Sequence, residues 1–194
     1  MKLYYCPATC SLAAHITLAE GGAAFDSESV DLKSKLTRSG ADFDAIAPKG
    51  YVPALVLDDG EVVSENIAVL DYLAGLYPHL GLAGPRGRTR LLETLAFIST
   101  EIHKSYKPFW RGGSEADKAA ASAYITKRLT YLADRVGGTY LLGDQPTVAD
   151  FYLFVMLLWA RRFDVAIPAA LLPVREALAA RPAVQATLLA EGIR

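Results

Sequence analysis

Cysteine is scarce in this chain: there are two in 194 residues, Cys6 and Cys10. Two residues so few and so close build no disulfide framework, and C-x-x-x-C is neither the redox C-x-x-C pair nor a zinc ligand set. Free thiols suit a reducing compartment, so the expected location is cytoplasmic, and no metal is expected. Charge of one sign is lacking too. Twenty Lys and Arg stand against 21 Asp and Glu, for a formal net charge of −1. That is no basic footprint for nucleic acid or for an anionic membrane surface. Long hydrophobic runs are also missing. The longest, Phe151 to Ala160, is closed by Asp150 and Arg161; it is too short to span a bilayer and fits a core helix. The first residues, Met1-Lys2-Leu3-Tyr4-Tyr5-Cys6-Pro7, contain no secretory hydrophobic stretch. What the chain has is apolar content, 52 %, which is ample for a core and argues against disorder.

The first third alternates strand and helix signals. Lys2 to Cys6 is a short apolar run ended by Pro7, and Leu12, His15, Ile16 and Ala19 then follow at helical spacing on one face. Ser11 is placed to cap that helix. Gly21-Gly22 stops it, and Phe25 to Leu32 forms a second strand, parallel to the first because the helix crosses over between them. Lys33 to Ala47 is polar and weakly helical or irregular. Val52 to Leu57 and Glu61 to Val63 form a hairpin about Asp58-Asp59-Gly60, and Ser64-Glu65-Asn66 opens a helix with Ile67, Leu70, Ala74 and Tyr77 on its apolar face. The sum is a mixed four-stranded sheet flanked by helices. Residues 78–87 hold three Gly and two Pro and are expected to be a linker between a domain at 1–77 and an all-helical one at 88–194. In the second part, a long helix from Arg88 to about Lys107 is stopped by Pro108. Ser114-Glu115-Ala116-Asp117 and Thr147-Val148-Ala149-Asp150 are capping-box patterns. The helix opened by the second is apolar nearly all round and belongs at the centre of a bundle. Two short helices follow, near Ala169 to Ala180 and Pro182 to Ala190.

Cys10 falls at the mouth of the first helix, where free N–H groups and the positive end of the macrodipole favour a thiolate. The alternative is an inert core cysteine. Three polar features could face it. Val52-Pro53 precedes a strand; a cis bond there would leave the Val52 backbone free to pair with an extended peptide, whereas trans would not. Ser64-Glu65-Asn66 sits at a helix N-terminus suited to a carboxylate, and Glu65 suits an ammonium; an ordinary cap is the bland alternative. Thr100, His103 and Lys107 lie at i, i+3 and i+7 and would share one helix face, with Lys104 and Tyr106 flanking. This makes His103, rather than His15 or His79, the candidate histidine.

Taken together, Ala8-Thr9-Cys10-Ser11-Leu12-Ala13-Ala14-His15, Pro48-Lys49-Gly50-Tyr51-Val52-Pro53-Ala54-Leu55, Ser64-Glu65-Asn66, Thr100-Glu101-Ile102-His103-Lys104 and Thr147-Val148-Ala149-Asp150 resemble a bacterial glutathione transferase of the beta class. The resemblance runs over the whole chain with the motifs in order. It implies a thioredoxin-like βαβαββα domain followed by a helical bundle, a homodimer, a site between the domains, and a cis bond before Pro53. It implies glutathione as co-substrate, with the Val52 backbone on the cysteinyl part and Glu65 and Asn66 on the γ-glutamyl end. Lys35 and Lys104 would lie near the carboxylates, Cys10 beside the glutathione sulfur, and His103 hydrogen-bonded into the same spot. Tyr5 and Ser11 would be close by, and Thr100 would complete the helical wall. Two positions depart from the family pattern: Asn66 stands where a small residue is usual, and Ala96 where an Asn is common.

The second substrate is expected to be a hydrophobic electrophile lying against Tyr106, Phe109, Trp110 and Trp159. The leading expectation is a detoxifying transferase that adds the glutathione thiolate to that electrophile, with His103 and Cys10 as catalytic residues, an activated Cys10 and an unreactive Cys6. The alternatives are a glutathione-dependent thiol–disulfide oxidoreductase working through Cys10, or a non-catalytic ligand-binding member of the same fold. The apolar residues Leu70, Leu73 and Tyr77 are expected to contribute to the dimer.

Overall fold

The structure, a computed structural model, describes residues 1–193. Its first part runs β1 (Lys2–Tyr5), α1 (Leu12–Gly21), β2 (Asp26–Asp31), β3 (Leu36–Thr37), α2 (Phe43–Ile46), β4 (Ala54–Val56), β5 (Val62–Ser64) and α3 (Asn66–Leu76). β1 pairs parallel with β2 and antiparallel with β4, giving the sheet order β3-β2-β1-β4-β5. This is the expected thioredoxin-like sheet with one strand more. β3 was not legible because it is two residues long on a polar edge; it is set by backbone pairing of Val30 with Thr37 and of Asp31 with Leu36. The short α2 is capped by Asp42, whose side chain accepts from the Asp44 N–H at 3.0 Å.

The second part is all helical: α4 (Gly87–Phe97), α5 (Lys107–Trp110), α6 (Glu115–Ala133), α7 (Val148–Arg162), α8 (Leu171–Ala179) and α9 (Pro182–Ala190). Between α4 and α5 the chain stays helical but changes winding, with a π turn at Ile98–His103 and a 3₁₀ turn at Lys104–Tyr106. The expected regular helix stopped by Pro108 is therefore corrected. Pro108 sits in the first turn of α5, where its missing N–H costs nothing, and the helix runs on to Trp110. Before α4, Pro78–Leu80 forms a 3₁₀ turn, and Arg88 pairs back to Asp71 with two bonds of 3.0 and 2.7 Å.

α7 is the centre of the bundle, buried from Val148 to Leu157 and again at Trp159 and Ala160. It packs on α1, and this explains a second difference. A single apolar face was expected for α1, but every residue from Leu12 to Leu18 is buried, because the sheet and α3 lie on one side and α7 and α9 on the other. One apolar core thus runs through both parts, joining Leu3, Leu12 and Ile16 to Phe151 and Phe154. A smaller cluster, with Tyr4, Val30, Phe43 and Ala54, packs the other face of the sheet. Leu70, Leu73 and Tyr77, read as apolar surplus for a dimer, are buried in the main core instead. Among the described residues no helix is long and apolar enough to cross a membrane.

Candidate functional site

Pro7 ends β1, and the chain turns through Ala8, which takes a left-handed φ of 59°. Two residues from the far end of the chain hold this turn. The Trp159 indole donates to the Ala8 carbonyl at 2.9 Å, and the Ala8 N–H donates to Glu191 Oε2 at 3.0 Å. The other oxygen of Glu191 meets His15 Nδ1 at 2.8 Å in a buried pair. Neither Glu191 nor the Ala8 contact carried a sequence signal, since the partners are 183 residues apart. His15 is structural here, with its ring 4.7 Å from Tyr5.

The clamped turn delivers Cys10 to a cavity of about 460 Å³. Its thiol donates to the Val52 carbonyl at 3.5 Å, and the Val52–Pro53 bond is cis. The first residues of α3 form another wall through Glu65, Asn66 and Ile67. The N–H groups of this first helical turn are the ones an anion can use. Glu65 adopts a φ of 74°, a region that non-glycine residues rarely occupy. Its carboxylate is exposed, and its 3.3 Å pair with Lys49 is a surface contact of little energetic weight. His103, Lys104 and Tyr152 close the cavity on the helical side. A larger cavity of about 610 Å³ adjoins it, sharing Lys104 and Arg111. The smaller one is the candidate site, because it alone gathers the thiol, the Val52 backbone, the α3 N-terminus and the histidine.

Several expected residues lie elsewhere. Ser11 is fully buried and caps nothing: its hydroxyl accepts from the Cys6 N–H at 3.1 Å and lies 3.2 Å from the Cys6 carbonyl, tying the turn to the end of β1. Tyr5 faces His15 rather than the cavity. Lys35 does not line the cavity; its ammonium donates to the Gly50 carbonyl at 2.7 Å, two residues from Val52. Thr100 is exposed and lines a different cavity with Phe97, Glu101, Arg128 and Tyr131. Lys107 lines the adjoining one. The common face expected for Thr100, His103 and Lys107 fails because the π turn takes more residues per turn than an α-helix and rotates the three apart. Tyr106 is fully buried, its hydroxyl donating to the Met156 carbonyl at 3.0 Å. It is core and not a wall for a second substrate. Trp110 is exposed, edge-on to Trp159 at 5.1 Å and to Phe163 at 4.8 Å, and Phe109 stacks on Phe163 at 4.9 Å.

The electrostatics correct the expectation of an activated cysteine. Burial pushes the Cys10 thiol up to about 12, although the N–H groups of Cys10 and Ser11 pull it the other way. The helix-mouth donors are present but lose to desolvation. Cys6 is also raised by burial. His103 is no cationic partner either: burial, helped by the nearby Lys104, lowers it to about 4, so the imidazole is neutral at pH 7. Its Nδ1 and the Tyr152 hydroxyl share a hydrogen bond of 2.6 Å, and it makes none to Cys10. Tyr152 escaped the sequence reading because it lies in the apolar run of α7, where helical spacing marks it as core.

Comparison with known proteins gives a consistent result. The family described as glutathione S-transferase, N-terminal domain, matches residues 6–76, and the glutathione S-transferase C-terminal domain matches 93–186. The glutathione S-transferase GstA of Escherichia coli O157:H7 is 39 % identical, with all of both chains covered. A sphingomonad glutathione S-transferase solved in complex with glutathione is 40 % identical, with a TM-score of 0.88 and complete coverage of both chains. The bacterial beta-class glutathione S-transferase of Sphingomonas chungbukensis is 42 % identical, with a TM-score of 0.86 and equally complete coverage.

Proposed function

The chain belongs to the glutathione S-transferase family, and from that premise we propose that it conjugates glutathione to hydrophobic electrophiles in the cavity between β1, α3 and α7. Residues 1–77 act as the glutathione-binding domain, 78–87 as the linker and 88–194 as the helical domain. The observation that carries this reading is the convergence on one cavity of the Val52 backbone, the α3 N-terminus with Glu65, and Cys10 with His103. An extended tripeptide with two carboxylates and one ammonium needs those features: backbone open to pairing just before a strand, helix-terminal donors and an acid. The Val52 backbone pairs with the cysteinyl unit, which puts the substrate sulfur beside Cys10. Glu65 takes the γ-glutamyl ammonium, Asn66 and the first turn of α3 take its carboxylate, and Lys35 and Lys104 draw the anionic ends toward the rim.

The reaction needs no protein nucleophile. The glutathione thiol loses its proton to water, and the thiolate sulfur attacks the electrophilic carbon. A C–S bond forms as the bond to the leaving group breaks and takes its electron pair away. The protein contributes by favouring the thiolate and by holding the two reactants in line. Trp110 and Phe109 line neither this cavity nor the adjoining one, so the apolar surface for the electrophile falls to the adjoining cavity, with Pro108, Ala121 and Tyr124. Conjugation is favoured over disulfide exchange because the raised Cys10 thiol is a poor attacking group at neutral pH. The working unit is a homodimer, in which Thr100 lies on a face separate from its own chain's cavity.

The test is to incubate the purified protein with glutathione and a chromogenic aryl halide, beside a glutathione mixed-disulfide substrate. Conjugate formation well above the uncatalysed rate is expected, with slower disulfide turnover. Turnover of the disulfide alone would overturn the reading.

A further inference from the structure

We propose that Tyr152 is a positioning residue for conjugation: its hydroxyl donates to His103 Nδ1 and holds the imidazole with its proton on Nε2. His103 then meets the glutathione sulfur as a hydrogen-bond donor and not as a base. The inference deepens the conjugation reading and rests on it for the identity of the sulfur ligand.

Three elements converge on the Tyr152 hydroxyl: α7 carries it, the π turn brings Ser99 and His103, and the start of α3 brings Asn66. The contact with His103 Nδ1 is short, 2.6 Å, and its tyrosine side is fully buried. A neutral imidazole has one N–H and one lone pair, so the partner of Nδ1 decides what Nε2 presents. The phenol has a single proton to give. Burial raises its own pKa strongly, keeping it a phenol, while the nearby Ser99 and Asn66 side chains pull the other way. His103 Nδ1 is the one hydrogen-bond partner of the hydroxyl among the described residues, so the proton of Tyr152 goes there. The remaining nitrogen, Nε2, must then carry the imidazole proton, and it has no other hydrogen-bond partner among the described residues.

The chemistry requires this polarity. A donor aimed at sulfur stabilises the thiolate over the thiol, because hydrogen bonds to the charged form favour it. A base would need a pKa near the working pH, and His103 lies near 4. The Asn66 amide faces Tyr152, yet neither its nitrogen nor its oxygen completes a hydrogen bond, although both are buried. It lines the cavity with unmet capacity, so a ligand that engages it also touches the group that sets the His103 tautomer.

The tautomer can be read without any activity. The protein is labelled with ¹⁵N-histidine and long-range ¹H–¹⁵N correlations are recorded, with His103 assigned by comparison with His103→Gln. The expected spectrum shows Nδ1 of His103 unprotonated and Nε2 protonated. In Tyr152→Phe, which removes one hydroxyl and keeps the ring, the two nitrogens should move toward a mixture of tautomers. In kinetics, Tyr152→Phe should lower kcat about tenfold and leave KM for glutathione within about twofold, as the loss of one transition-state contact does. The double variant with His103→Gln should be no slower than His103→Gln alone. A proton on Nδ1 in the unmodified protein, an unchanged tautomer in Tyr152→Phe, or additive losses would each overturn the proposal. A protein that conjugates nothing but shows the expected tautomer would refute the conjugation reading while leaving the Tyr152–His103 assignment standing.

Discussion

Cys10 and His103 share a cavity, and both are neutral there at pH 7, for the same reason: burial disfavours the charged form, so an acid moves up and a base moves down. For Cys10 the sign is worked out directly. A thiol raised to about 12 carries less thiolate at every pH below that value than a free cysteine near ~8.5. Alkylation of Cys10 by iodoacetamide, followed by peptide mass mapping, should therefore be slow at pH 7. It should climb with pH without levelling off below about pH 10. A plateau below pH 8 would restore the activated thiol. Because the nucleophile belongs to glutathione, Cys10→Ala is expected to retain conjugation.

At the scale of elements, the site depends on two departures from regular winding and on one cap. The left-handed turn at Ala8 and the π turn at Ile98–His103 both aim side chains that a regular element would send elsewhere. The cap is Asp150, fully buried at the start of α7. Its Oδ2 accepts from the Thr147 N–H and hydroxyl, both at 2.8 Å, and its Oδ1 accepts from the Leu141 N–H at 2.7 Å. Asp150→Ala leaves two buried backbone donors without partners. An unmet buried donor costs roughly 1–3 kcal/mol, so the loss should be about 3 kcal/mol or more. That exceeds the ~1 kcal/mol of an exposed cap. The measurement is the urea midpoint, which should fall sharply while glutathione binding of the folded fraction is retained. An unmoved midpoint would show that α7 does not need the cap.

For the whole molecule, the turn carrying Cys10 is held across the two halves of the chain. Glu191 at the end of α9 and Trp159 of α7 grip the backbone of Ala8, and Arg181 makes a two-pronged pair with Glu20 of α1 at 2.6 and 2.7 Å. The thioredoxin-like part is therefore not expected to present its site in working order alone. Aromatic rings remain uncovered in two places: Tyr51, 67 % exposed, at the candidate cavity, and Tyr131, tilted against Phe97 at the rim of a cavity of about 560 Å³. Apolar rings beside an open cavity suit burial against a second copy. Light scattering at micromolar concentration should give twice the chain mass, and Tyr51→Ser should weaken the assembly. A monomer would refute the dimer.

Much of this was determined by sequence alone. Period-two and period-3.6 patterns, the Gly and Pro stops and two S/T-x-x-D boxes located nearly every long element, because those signals act between residues a few positions apart. The same local chemistry marked Cys10, Val52-Pro53 and Glu65-Asn66 as candidates. Tertiary structure decided which of them meet and in what state of charge. The π turn sent Thr100 and Lys107 away from His103, packing buried Ser11 and Tyr106, and Tyr5 turned onto His15. A tyrosine inside an apolar helix became the partner of His103, and a glutamate 176 residues from His15 became its hydrogen-bond partner. Burial then overrode the helix-mouth donors at Cys10. Desolvation and long-range pairing depend on everything packed around a group, and no spacing along the chain encodes that.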